Sequence, residues 1–154
     1  MAAPAGAASS RAASIVLLLA SVLGGGPAFA QTGTAGGACG AELAGAQRAE
    51  SARHVVFWRA DPQKIPVGRH FAVDIVVCPR SGAPAAPAIS GIAIDARMPA
   101  HGHGMNYKPS VKATADNRYR AEGLLFHMGG QWEMVFELRT ADKPERATQA
   151  VTVR

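Results

Sequence analysis

The chain has 154 residues, a formal net charge of +5 and two cysteines. That length suits one ordinary domain. Its Lys and Arg are scattered, with no basic cluster and no interleaved aromatics, which argues against nucleic-acid binding.

Residues 1–30 read as a secretory signal. Arg11 is the sole charge before the apolar run 15–23, residues 24–27 (GGGP) break the helix, and Ala28-Phe29-Ala30 forms a small-residue cleavage site before Gln31. The run is shorter than the roughly 20 apolar residues a membrane-spanning helix needs, and no second apolar span follows. An uncleaved anchor is the alternative, disfavoured because the helix break and the cleavage site lie together. A lipoprotein is excluded, since Cys39 follows Gly36-Gly37-Ala38 with no leucine before it and far from the apolar run. The expected location is the periplasm or the exterior. There an even cysteine count predicts a Cys39–Cys78 disulfide, two free thiols being the alternative.

Residues 31–53 read as a flexible lead-in. Its first part, 31–38, is Gly/Thr/Ala-rich. Residues 41–53 could form a helical turn or two but offer little apolar face. From His54 the pattern alternates with period two. The strands expected are 54–59, 70–78, 91–98, 111–115, 118–126, 132–139 and 147–153. Pro62, Pro66, Gly68 and the three prolines of 79–90 mark loops, and Asp116-Asn117 reads as a tight hairpin turn. Gly123 reads as a bulge, because Leu124-Leu125-Phe126 breaks the alternation. Seven short strands with no helical period predict an all-β, immunoglobulin-like β-sandwich over 54–154, a small barrel being the alternative. Phe71, Val73, Ile75, Ile92, Ile94, Trp132, Phe136 and Leu138 should dominate its core.

One stretch stands apart. Residues 98–107 (MPAHGHGMNY) hold two methionines and two histidines, and His127-Met128 follows later. If consecutive strands run antiparallel, alternate connections share an end of the sandwich. The connections 99–110 and 127–131 then meet, along with the one that delivers His70. The other end would bring Cys39 and Cys78 together. Thioether sulfur suits Cu(I), and imidazole suits copper and zinc, so a Met/His cluster without cysteine or carboxylate favours copper. An extended backbone would point His101 and His103 the same way, with Met105 continuing that parity. The candidate ligands are Met98, His101, His103, Met105, His127 and Met128, with His103, Met105 and His127 foremost. His70 is a weaker candidate. His54 reads as a surface or strand-start histidine, Met134 as core. The competing structural reading is that the His-Gly-His-Gly segment is only a turn.

MPAHGHGMNYKPSV followed by YRAEGLLFHMGGQWEMVFEL resembles the YtkA-like domain family, which is related to FixH-like proteins. The resemblance runs from about Asp95 to Leu138. It rests on a Met-Pro-x-His-Gly-His-Gly-Met segment, a glycine-containing strand, and a Phe-x-Met-Pro-Gly-x-Trp turn in which Gly129 stands here in place of proline. It implies an exported or membrane-anchored immunoglobulin-like domain with a role in copper handling linked to respiratory oxidase or other metalloprotein maturation. By position it carries over Met98, His101, His103, Met105, His127 and Met128.

The function expected is therefore an exported copper-binding protein, a periplasmic chaperone or metallation factor with Cu(I) favoured. It would have an envelope metalloprotein or an oxidase-assembly protein as partner. The alternative is a structural or interaction module of the envelope without metal. An enzyme is not expected: no serine or cysteine sits in a nucleophile context, and the carboxylates fall mainly on exposed strand faces.

Overall fold

The structure is a computed structural model that describes residues 39–154. The signal segment 1–30 and the lead-in residues 31–38 lie outside the described residues. Within them, nine strands form: β1 (Gln47–Glu50), β2 (His54–Asp61), β3 (His70–Pro79), β4 (Ile89–Met98), β5 (His103–Gly104), β6 (Ser110–Ala115), β7 (Arg118–Leu125), β8 (Gly130–Thr140) and β9 (Glu145–Val153). Among the described residues no helix is long and apolar enough to cross a membrane.

All strand pairings are antiparallel. They make one sheet in the order β5-β4-β8-β9-β1-β2-β3-β7-β6. The sheet curls on itself into an all-β, immunoglobulin-like sandwich. Its seam is thin, since β1 meets β9 through the single pair Glu50 and Thr148. The core lies between the two halves. All eight side chains expected there are buried, each contributing roughly 1.5–3 kcal/mol by leaving water. Trp58 of β2 reaches Phe136 of β8 across the layers, with ring centroids 5.9 Å apart.

The seven expected strands are present, and two more appear. β1 falls where the lead-in was read as a loose segment or helical turn. Only Ala49 of its four residues is buried, so one inward side chain left no alternation to detect. β5 pairs two residues of the His-Gly-His-Gly stretch with Arg97 and Met98. In the Asp116-Asn117 turn only Asn117 takes positive φ, at 55°.

The bulge at Gly123 has a consequence for the site. Phe71 pairs with Leu124 and Ala72 with Glu122, which leaves Gly123 as the extra residue. The inward parity switches there, from Ala121 to Leu124 and Phe126, all fully buried. Without that extra residue, simple alternation from Ala121 would turn His127 into the core. With it, Phe126 takes the core position and His127 emerges half-buried at the end of the sandwich.

Cys39 and Cys78 are bridged, which ties the start of the described chain to the end of β3. The disulfide spans 39 residues of sequence. Near it lies a polar cluster that the sequence did not suggest. His54 is not on the surface but 4% exposed. Its Nδ1 lies 3.2 Å from Glu145 Oε2 and its Nε2 lies 3.0 Å from the Pro87 carbonyl oxygen. Ser51 Oγ donates to the same Glu145 oxygen at 2.6 Å. The Arg53 backbone N–H and guanidinium donate to the carboxylate at 3.0 and 2.6 Å. This cluster fastens the β1–β2 turn to the start of β9.

Burial alone would push the Glu145 carboxyl upward, but the hydrogen bonds from Ser51, Arg53 and His54 outweigh it and bring it down to about 2. A carboxylate held below its ordinary value stabilises the fold above about pH 4.5, and that contribution is lost as pH falls toward 2. Glu145→Gln should therefore destabilise the protein at neutral pH by on the order of 2–3 kcal/mol. It should also flatten the loss of stability between pH 4.5 and 2, as read from urea melts across pH. Replacing both cysteines with serine should lower stability by about 2–4 kcal/mol in the same melts, and a reductant should do the same to the native chain.

Candidate functional site

β4 ends with Met98 facing the core. Pro99–His101 then makes one 3-10 turn, and Gly102 closes it at φ 67° in the left-handed region. Its N–H donates to the Met98 carbonyl at 3.0 Å. Glycine suits this position because side chains rarely adopt that backbone. The chain then doubles back, and the Met105 N–H donates to the Ala96 carbonyl at 3.0 Å. The segment is thus a tight reversal rather than the extended run expected from its parity. His101 stays exposed and His103 is half-buried, with their rings 5.6 Å apart.

The second loop starts at Phe126, whose ring stacks on Trp132 at 4.4 Å with planes 6° apart. The Trp132 indole N–H donates to the Met128 carbonyl at 3.1 Å, which closes the turn. His127 stands edge-on to the indole, with centroids 5.3 Å apart. His103 reaches the same indole at 6.4 Å.

The two histidines meet here. Their ring centroids are 5.0 Å apart and their Nε2 atoms 3.2 Å apart. The Nδ1 atom of His127 is buried with no hydrogen-bond partner in the protein. His54 differs, since both its ring nitrogens face protein acceptors.

The other candidate ligands occupy unlike settings. Met98 is 2% exposed and belongs to the core. Met105 is half-buried and packs against that core. Met128 is 37% exposed, tied in by its backbone oxygen rather than its side chain. His70 is exposed and lies edge-on to Tyr107, with centroids 5.3 Å apart. The structure therefore brings His103 and His127 together with His101 beside them, and it gives the three methionines different exposures. No group of three or more His, Cys, Asp or Glu side chains converges among the described residues. A metal on this pair would need its remaining ligands from thioether sulfur, water or a partner.

The imidazole spacing fits a shared metal. Metal–nitrogen bonds of about 2.0–2.1 Å at a tetrahedral angle put two nitrogens roughly 3.3–3.4 Å apart. Trp132 is the residue sequence reasoning missed as part of the site. Its alternation in β8 marked it as core, and it is core at 1% exposure. The same ring also walls the histidine pair. Its place five residues after His127, behind two glycines, was the available signal.

No protein-family model matches the chain, and no curated protein matches it. The solved structures include a DUF4426 family protein from Pseudomonas aeruginosa PAO1 to which this chain is similar. The two share 9% identity with a TM-score of 0.45, over 70% of this chain and 96% of that one.

The end of β4 and the start of β8 approach closely at Gly130. Its φ is 127°, and an added Cβ would lie 2.5 Å from the Met98 methyl carbon. Gly130→Ala should cost about 1–3 kcal/mol in urea melts, mostly from the backbone. Adding Met98→Ala should recover none of that backbone component, because shortening Met98 leaves the φ at residue 130 unchanged.

Proposed function

We propose that this is an exported copper-binding protein of the YtkA-like type, acting as a chaperone or metallation factor, in which His103 and His127 hold Cu(I) through their Nε2 atoms. The observation that carries the reading is the 3.2 Å approach of those two atoms. Three further features support it. The Met-Pro-x-His-Gly-His-Gly-Met motif is present. Methionine sulfur is available nearby in sequence as a soft ligand. The Cys39–Cys78 bridge fits an oxidising compartment, as an exported protein would meet.

Copper in its reduced form supplies a soft cation that exchanges readily between imidazole and thioether sites. The residues of this chain divide the work of holding it. The reversal at Gly102 sets His103 against His127. Trp132 shields one side of the pair from water and, through its N–H, fixes the turn that carries His127. Met105, following His103 on the same segment, is the favoured sulfur. Met98 would have to leave the core. Exposed His101 and Met128 flank the pair at the rim, where an incoming or departing metal would pass. The partner on this reading is an envelope metalloprotein or an assembly factor for one.

A second reading has a specific observation behind it. A separation of 3.2 Å also suits an N–H···N hydrogen bond between neutral rings. The pair would then be a clamp between two loops of a metal-free interaction module. Anaerobic Cu(I) titration against a chromophoric chelator, with Zn(II) as control, separates the two. The copper reading expects one tightly bound Cu(I) per chain and a loss of more than about 100-fold in affinity in His103→Ala/His127→Ala. Failure of the native chain to compete, or equal affinity in the double variant, would leave the clamp.

A further inference from the structure

We propose that the end of the sandwich carrying the histidine pair is a docking face for an anionic bilayer surface. Three exposed large hydrophobic side chains are found among the described residues: Val67, Tyr107 and Met128. All three lie at this end, one in each of three loops. Contacts between those loops join them into one face. Val67 bridges Phe126 through the backbone, and the Gly68 N–H donates to the Phe126 carbonyl at 2.7 Å. Tyr107 packs against His70, and His103 meets His127.

Charge in these three loops is of one sign, and Asp61, which ends β2 beside them, is paired with Arg120 at 2.8 Å. Residues 62–70, 99–109 and 126–131 contain no Asp or Glu. They carry Lys64, Arg69 and Lys108, all exposed. The ion pairs of the described residues engage none of these three cations. The opposite end differs. Its connections mix Arg53, Arg80 and Lys143 with Asp116 and Asp142, and Arg53 and Asp142 pair at 2.7 Å.

The arrangement within each loop selects the occupant. Lys64 and Arg69 flank Val67, and Lys108 follows Tyr107. An acidic protein would be met best by one continuous apolar patch with a charged rim. Here single apolar tips stand beside single cations. That pattern suits a headgroup layer, where the tips enter the acyl boundary and the long cationic chains stay at the phosphates. Tyrosine, apolar with a polar end, is suited to the same depth. This inference does not depend on metal. It would place the histidine pair at a membrane surface, facing any acceptor embedded there.

The test is flotation of the metal-free and copper-treated protein with vesicles of equimolar phosphatidylcholine and phosphatidylglycerol, against pure phosphatidylcholine. Partition to the anionic vesicles alone is expected, weakening as salt rises. Lys64→Gln/Arg69→Gln/Lys108→Gln should reduce partition by about 100-fold. Lys112→Gln/Arg139→Gln/Lys143→Gln removes the same charge elsewhere and should reduce it far less. Tyr107→Ser should weaken binding that persists at high salt. Absence of partition, equal partition to both vesicle types, or equal loss in the two triple variants would overturn the proposal. So would binding of an acidic protein by this face with no affinity for vesicles. Copper binding without partition would remove this inference and leave the copper reading standing.

Discussion

The stack of Phe126 on Trp132 is the contact on which this end of the molecule depends. Phe126 follows β7, on one half of the curled sheet, and Trp132 lies in β8, on the other. Their rings, nearly parallel and 4.4 Å apart, close the sandwich where its loops begin. Phe71 adds an edge-on contact to Phe126 at 5.1 Å. Aromatic rings of this size contribute both buried area and a preferred geometry. The indole also has a polar atom to satisfy, and the Met128 carbonyl accepts it. One side chain therefore closes the core, shapes a turn and walls the histidine pair.

That stack would not exist without the bulge at Gly123. A strand has only two faces, so one extra residue exchanges which side chains point inward. Phe126 gains the core, and His127 is delivered to the rim on the next residue. On the other loop the reversal at Gly102 does the corresponding work for His103. Two backbone irregularities, each at a glycine, thus bring together two rings that lie 24 residues apart in sequence.

The alternating strands were legible because half-buried sheet imposes period two on its residues. The bulge was legible for the same reason, as a break in that period. The meeting of the two His-containing loops followed from antiparallel alternation, which places every second connection at one end. β1 was not legible, since one buried alanine makes no pattern. His54 does start β2, but its burial was not legible because it rests on Glu145, a residue 91 positions away. Local sequence does not announce that partner. The methionines were equivalent as residue types, but the fold gives Met98, Met105 and Met128 buried, half-buried and exposed places. Counting soft ligands in a window does not distinguish these settings.

His54 and His127 give a physical way to tell a structural histidine from an available one. His54 has an acceptor facing each ring nitrogen, the Glu145 carboxylate and the Pro87 carbonyl oxygen, and Ser51 donates to the same carboxylate. His127 keeps one buried nitrogen unsatisfied while its other faces a second imidazole at 3.2 Å. Two neutral imidazoles sharing one proton can satisfy only that facing pair. The His127 Nδ1 stays unpaired both in the clamp and with a cation on the two Nε2 atoms, so it does not distinguish them. A cation between the Nε2 atoms would replace a single N–H···N bond with two stronger interactions at the same spacing. On the copper reading, that exchange at the facing Nε2 atoms, and not the buried Nδ1, is what favours a ligand over a clamp.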